Sequence, residues 1–412
     1  MATWGELEKA GTKWSSLEEM TWGELEEFCT VNPKTKQIPD DMEVSFVPMQ
    51  SVSDTGDVQT DEVRKASEVK KGFTFFEEGD VLFAKITPCM ENGKGGIARG
   101  LKNSVGFGST EFHVLHPDPE KVSSEWLYYL TSWDEFRKQC ARNMTGSAGQ
   151  KRVPKSYLEH YKVHLPPLEE QRRIAATLDK VSDLIAKRRA QLDKLDLLVK
   201  ARFVEIFGDL AAPECPHKKC KLVETCVSSD DIKCGPFGTQ LSKEEYQDHG
   251  VAVWEIPQIN SYFTTQPTHF LTVEKAEQLK AYSIIPGDIA MSRKGNVGRC
   301  ARFPDNFDSG IIHSDVLRIR VNKQQVNPCF MMYQLHFSGA VQRQIEVVSS
   351  GAIMAGVNVT KLKHIEIHLP DFDLQQQFAH FVGEVDSVKC SINNSLEKLE
   401  TLKKALMQEY FG

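Results

Sequence analysis

The chain has 412 residues, 40% hydrophobic and 26% charged, with a formal net charge of −7 and ten cysteines. No apolar run approaches the length of a membrane span, and the acidic start MATWGELEKAG lacks the basic and apolar regions of a secretory signal. With cysteines scattered singly rather than in a dense framework, the expectation is a cytoplasmic protein with reduced thiols, not a membrane protein or a disulfide-stapled scaffold.

The length exceeds one ordinary core. Charge is distributed unevenly: residues 1–43 hold ten acids against four lysines, which leaves the remainder near neutral. Arg142–Lys155 and Ile289–Arg302 each carry four cations and no acid. Local basic segments of this kind bind phosphate while the whole chain stays acidic.

In chain order, residues 1–24 read as an acidic extension. TWGELE at Thr3–Glu8 returns at Thr21–Glu26, an interval of five helical turns, although Gly5 and Gly23 count against a continuous helix. A first block follows at 25–163. It opens with LEEFC and has a strand after a Gly-Asp turn (EEGDVLFAKI around Gly79), with Lys94 and Arg99 beyond it. Next come a second strand at Ser109–Pro117, a helix at Ser123–Cys140, and a glycine-containing loop, TGSAGQKRV, at Thr145–Val153. Arg142, Lys151 and Arg152 lie in or beside that loop.

Residues 164–208 (HLPPLEEQRRI…FVEIFG) and 368–412 (HLPDFDLQQQF…QEYFG) align without a gap at an offset of 204. A repeat of this size fixes architecture before any local assignment. Apolar residues recur alternately four and three apart, the spacing of a coiled-coil seam. The first seam is Ile174, Leu178, Val181, Ile185, Leu192, Leu195, Val199 and Ile206; the second is Phe378, Val382, Val385, Ile392, Leu396, Leu399, Leu406 and Tyr410. Arg188, Arg202, Lys389 and Lys403 occupy seam positions, cover them with aliphatic stems and disfavour self-pairing. Each repeat predicts a helix of about forty residues, roughly 60 Å long.

Between the rods, block 209–367 repeats the first block with different loops. LVETC answers LEEFC, and the glycine-proline turn CGPFGTQL at Cys234–Leu241 has no counterpart. IPGDIAMSRKG around Gly287 repeats the Gly-Asp turn and brings Arg293, Lys294 and Arg299. The strand His313–Val321 and helix Asn327–Ile345, with Arg343, lead to the loop SSGAIMAGV at Ser349–Val357, where Ala355 and Gly356 stand in place of Lys151 and Arg152. The nine named cations are the candidate DNA contacts. Two like frames with unlike loops suit two different half-sites.

Catalytic signatures are sparse. Gly93-Lys94 is followed by Gly95, not by the hydroxyl residue of a phosphate-binding loop, and no G-x-G-x-x-G after a strand or G-x-S-x-G appears. The sole Pro-Pro, Pro166-Pro167, lies between leucines, unlike the motif shared by amino-methylating enzymes. Pro39-Asp40 with Glu68-Val69-Lys70 fits a metal-nuclease pattern only loosely, and Cys215, His217, Cys220 and Cys226 lack paired Cys-x-x-Cys spacing. His113 and His313, near matched strands, read as structural. No catalytic residue, metal or cofactor is expected.

From about Leu25 to Gly412 the chain resembles the specificity subunits of type I restriction-modification systems, most specifically in HLPPLEEQRRI, HLPDFDLQQQF and GPFGTQL. The second rod departs by carrying Leu374, Gln376 and Gln377 where the first has Glu170, Arg172 and Arg173. The resemblance implies an α+β protein with two mixed α/β target recognition domains, separated by two long helices forming an antiparallel coiled coil with pseudo-two-fold symmetry. Each domain would read one half of a split double-stranded DNA target. The rods would set the spacing and hold two methyltransferase subunits and, with them, motor-nuclease subunits. A coiled-coil scaffold for protein partners and the recognition part of a single-chain restriction enzyme are the alternatives.

Overall fold

The structure is a computed structural model that describes residues 21–147, 149–212, 214–349 and 356–412. It divides into two compact units, residues 1–189 with 394–412, and residues 190–393. No helix among the described residues is long and apolar enough to cross a membrane.

Among the described residues the first unit contains ten strands: β1 (Thr21–Glu24), β2 (Cys29–Val31), β3 (Glu43–Val47), β4 (Val63–Lys65), β5 (Thr74–Glu77), β6 (Val81–Ala84), β7 (Gly95–Ile97), β8 (Val105–Gly108), β9 (Phe112–Pro117) and β10 (Lys162–Leu165). They form sheets in the orders β2-β9-β6-β7, β4-β3-β8-β5 and β1-β10. The second unit supplies β11 (Lys218–Lys221), β12 (Ile232–Cys234), β13 (Val251–Trp254), β14 (His269–Leu271), β15 (Ser283–Ile284), β16 (Ile289–Ser292), β17 (Cys300–Arg302), β18 (Gly310–Ile312), β19 (Val316–Ile319) and β20 (Glu366–Leu369). Its sheets, β12-β19-β16-β17, β14-β13-β18-β15 and β11-β20, repeat the order strand for strand, including one parallel pair, β3 with β8 and β13 with β18.

The Gly-Asp turns are built alike. Gly79 and Gly287 adopt φ of +87° and +86°, open to glycine without steric cost. The aspartates that follow are buried: Asp80 accepts the Glu77 N–H at 2.8 Å and bonds His116 at 2.6 Å, while Asp288 accepts the Ile285 N–H and a bidentate pair from Arg320 at 2.7 and 2.8 Å. The turn therefore aims β6 and β16, all of whose side chains are buried, into their sheets.

Helices α1 (Ser124–Ser132), α2 (Asp134–Arg142), α3 (Leu168–Phe207), α4 (Pro328–Phe337), α5 (Gly339–Ser349) and α6 (Phe372–Phe411) complete the main frame. In the first unit Ile174, Leu178, Val181 and Ile185 of α3 share a core with Leu399, Leu406 and Tyr410 of α6, together with Trp126 and Phe136. The helices run antiparallel there, with Arg189 bonded to Glu400 at 2.8 Å. In the second unit Val199, Phe203 and Phe207 pack with Phe378, Val382, Val385 and Phe330, and Lys389 pairs with Asp196. Each fully buried large apolar side chain contributes about 1.5–3 kcal/mol.

Four details differ from the sequence reading. The helices expected at Ser123–Cys140 and Asn327–Ile345 are each broken in two, at Trp133 and Ser338. Thr21–Glu24 is not part of an extension but an edge of the first unit, antiparallel to Lys162–Leu165. Thus the second TWGELE copy is a strand and a 3₁₀ turn (Leu25–Glu27) rather than helix; the first copy lies outside the described residues. Gly23 suits the strand because a Cβ there would meet the Phe28 ring at 2.7 Å. Along α3 the buried stripe also moves off the strict heptad: Phe203 and Phe207 are buried, whereas Arg202 and Ile206 are half-exposed, as are Leu192, Leu195 and, on α6, Leu396. A straight helix drifts by about 20° per heptad, so the seam shifts by one residue near its end.

A lock at each rod start went unread in the sequence. Gln171, fully buried, donates to the Lys121 and Pro166 carbonyls at 2.8 Å and accepts the Ser123 N–H at 2.9 Å, at the N-cap of α1. Gln375, at the same place in the other repeat, donates to Pro370 O and accepts the Asn327 N–H at the N-cap of α4. A buried amide is costly unless satisfied, so these bonds fix each rod to its own block.

Candidate nucleic-acid interface

The strand ends after the Gly-Asp turns hold the glycine-containing loops. In the first unit Val153 N–H donates to the Lys85 carbonyl at 2.9 Å; in the second, Val357 N–H donates to the Arg293 carbonyl at 3.1 Å. Lys85 and Arg293 are therefore equivalents, and Lys85 is a candidate the sequence reading passed over because FAKI and MSRK align only through the shared turn. Burial holds the Lys85 ammonium below its usual range.

Four of the nine candidate cations have carboxylate partners. Arg99 pairs with Glu125, Arg142 approaches Glu135 at 3.8 Å, and Lys294 meets Asp315 at 2.8 Å. Arg152 grips Glu111 through two bonds of 2.8 and 2.9 Å, which hold the Glu111 carboxyl below the usual carboxylate range. Those pairs are mostly solvated, and solvated ion pairs add little to stability. They also lower the charge offered to a phosphate.

Lys94, Lys151, Arg293, Arg299 and Arg343 meet no carboxylate within 4.0 Å among the described residues. Lys94 Nζ donates to the Met49 carbonyl at 3.2 Å and lines a cavity of about 470 Å³ with Gln50, Gln59, Asn92, Asp54 and Asp57. Side-chain amides of this kind are what read an adenine edge, and these three were not singled out in the sequence. Lys151 is exposed, and its carbonyl accepts the Thr87 N–H.

In the second unit the arginines lie on aromatics. Arg293 is 4.7 Å from the Phe237 ring centre, and Arg299 is 5.0 Å from that of Tyr262 while donating to the Asn260 carbonyl at 2.8 Å. Phe237 comes from the GPFGTQL turn, where Gly235 is obligatory: a Cβ would stand 2.3 Å from the His313 and Ile312 carbonyls. Tyr262 is 52% exposed at φ +51°, a left-handed conformation costly for an aromatic residue. Ala355 lies outside the described residues, and Gly356 packs near the Arg293 carbonyl.

The other sequence candidates resolve simply. Lys70 pairs with Asp40. Cys215, His217, Cys220 and Cys226 do not converge as ligands; among the described residues the grouping with that proximity is Glu24, Glu26 and His160. His113 bridges Asn32 at 3.0 Å and the Val153 carbonyl at 2.8 Å, tying β9 to the Lys151–Arg152 loop.

Burial lowers the His113 pKa from 6.5 to about 4. The fold thus holds the neutral ring, while the unfolded chain takes up the proton between those values. The stability contribution is complete above pH 6.5 and is lost as pH falls through about 4, a total of about 3 kcal/mol. Thermal melts across that window should fall less steeply for His113→Gln than for the unaltered chain; equal slopes would show that His113 titrates normally.

Comparison with known proteins gives a consistent outcome. A segment of 177 residues is 43% identical to the EcoEI specificity subunit of Escherichia coli and 40% identical to the EcoAI specificity subunit of the same organism. Each match covers 42% of this chain but 30% of the relative's own length. The fold is similar to that of a chain in a solved type I R-M system, with a TM-score of 0.57 and 19% identity over 96% of this chain and 98% of that one. Residues 18–195 and 233–404 match the family model described as type I restriction modification DNA specificity domain, and because the matches take in most of both repeats, the chain belongs to that family.

Proposed function

We propose that the chain is the non-catalytic DNA-recognition subunit of a type I restriction-modification complex. Blocks 25–163 and 209–367 each read one half of a bipartite duplex target, through the amides, the exposed aromatics and the cations that have no carboxylate partner among the described residues. The observation that carries this reading is the identity of strand order in the two units beside the difference in their surface groups: a common frame positions, and dissimilar side chains discriminate. The rods set the half-site spacing, since sites on one face of DNA recur about every 34–36 Å. They also dock two methyltransferase subunits, through which motor-nuclease subunits join. Leu197 and Val204, exposed on α3, offer apolar surface for such docking, whereas the second rod has Thr401 and Gln408 at those places. A complex that acts on cellular DNA would reside in the cytoplasm.

The test is a gel shift of the full chain with a cognate methyltransferase subunit on random duplexes, followed by sequencing of the retained DNA. A split motif bound with strong salt dependence is expected, with no methyl transfer from tritiated cofactor by the chain alone. Methyl incorporation by the homogeneous chain, or retention of protein partners without DNA, would favour the enzyme or scaffold alternatives.

A further inference from the structure

The second unit contains a basic cleft, two of whose lining positions correspond to buried core residues in the first unit. It is about 470 Å³ and is bounded by α5 and the short helix Val359–Leu362 with the residues just after it, with Arg343, Lys361 and His364 on its walls and Gln344 and Val347 beside them. Arg343, Lys361 and His364 are exposed, and none meets a carboxylate within 4.0 Å among the described residues. No acid among the described residues lines the cleft. Glu366, close in sequence, is engaged by Lys219 at 2.6 Å. Cations held together without counter-charge repel one another and favour an anion.

The repeat provides an internal control. At the offset of 204 the three basic residues correspond to Gln139, Tyr157 and His160, and Ala340 and Gln344 correspond to Phe136 and Cys140. There Phe136 and Cys140 are fully buried, and Tyr157 packs against the same core, with Phe136 4.7 Å from the Tyr161 ring. The common frame needs no cleft at this position. Its presence in one unit is a specific feature of that unit.

The cleft also adjoins the candidate read-out groups. Asn358 N–H donates to the Val348 carbonyl of α5 at 3.3 Å, and the preceding residue, Val357, bonds Arg293. We infer that Arg343 and Lys361, with His364, clamp a backbone phosphate of the DNA read by the second unit, so that the two units anchor the duplex unequally. The inference rests on the DNA-recognition reading.

The experiment measures duplex affinity of the full chain over a series of salt concentrations, for the unaltered protein, Arg343→Gln/Lys361→Gln, and Val347→Glu. The double variant should make the slope of log K against log salt shallower by about one, as expected for the one phosphate no longer neutralised. Affinity should drop in the same ratio on target and random duplexes, leaving the selected sequence unchanged. Val347→Glu, at an exposed position, puts a carboxylate at the cleft without removing a cation and should also weaken binding. An unchanged slope and affinity in folded variants would overturn the clamp while leaving the DNA reading intact. Failure of the unaltered chain to bind duplex would instead remove the DNA reading, and the clamp with it.

Discussion

Phe378→Asp is expected to unfold the second unit. Phe378 is fully buried, and its ring lies 5.3 Å from Phe203, 5.5 Å from Phe207 and 5.4 Å from Tyr333. Truncating such a ring to alanine costs about 3–5 kcal/mol, and a buried carboxylate without a cationic partner adds several more. That sum rivals the whole stability of an ordinary domain, about 5–15 kcal/mol. Soluble yield and thermal circular dichroism should collapse together. Gln376→Asp, two residues earlier on the exposed face, should change stability by only about 0.5 kcal/mol. If both variants melted like the unaltered chain, the aromatic cluster would not hold the helices together.

What was legible in the sequence follows from periodicity and repetition. The rods declared themselves because their apolar spacing persists over forty residues and recurs at a constant offset. The Gly-Asp turns were visible because a left-handed glycine and a buried aspartate leave the same two letters in both blocks. The strands β1 and β11, TWGE and KKCK, gave no such signal. They are short and largely polar, and their ladders reach β10 and β20 more than a hundred residues on. Gln171 and Gln375 were hidden among other polar letters, because a hydrogen-bonded buried amide looks like a surface residue until its partners are known.

The candidate interface was legible only in part. Arg152 and Lys151 are neighbours in a basic segment, yet one is occupied by Glu111, 41 residues away in the chain, and the other is exposed with no carboxylate within 4.0 Å among the described residues. Charge clustering locates the loops but does not say which cations are already neutralised. The aromatic shelves under Arg293 and Arg299 likewise depend on turns whose shape the letters Phe237 and Tyr262 do not reveal.

The second large effect concerns modularity. Since each unit closes its own three sheets and is locked to its own rod by Gln171 or Gln375, base readout should travel with the block that carries it. Replacing residues 21–163 by the corresponding block of a family member is expected to change one half of the DNA target completely. The other half and the spacer should remain, because block 209–367 and both rods are untouched. The direct measurement is methylation-site sequencing of DNA modified by the assembled complex carrying this exchange. One new half-site joined at the original spacing to one old half-site is the predicted result. Alteration of both half-sites, or of neither, would contradict the assignment of one half-site to each block.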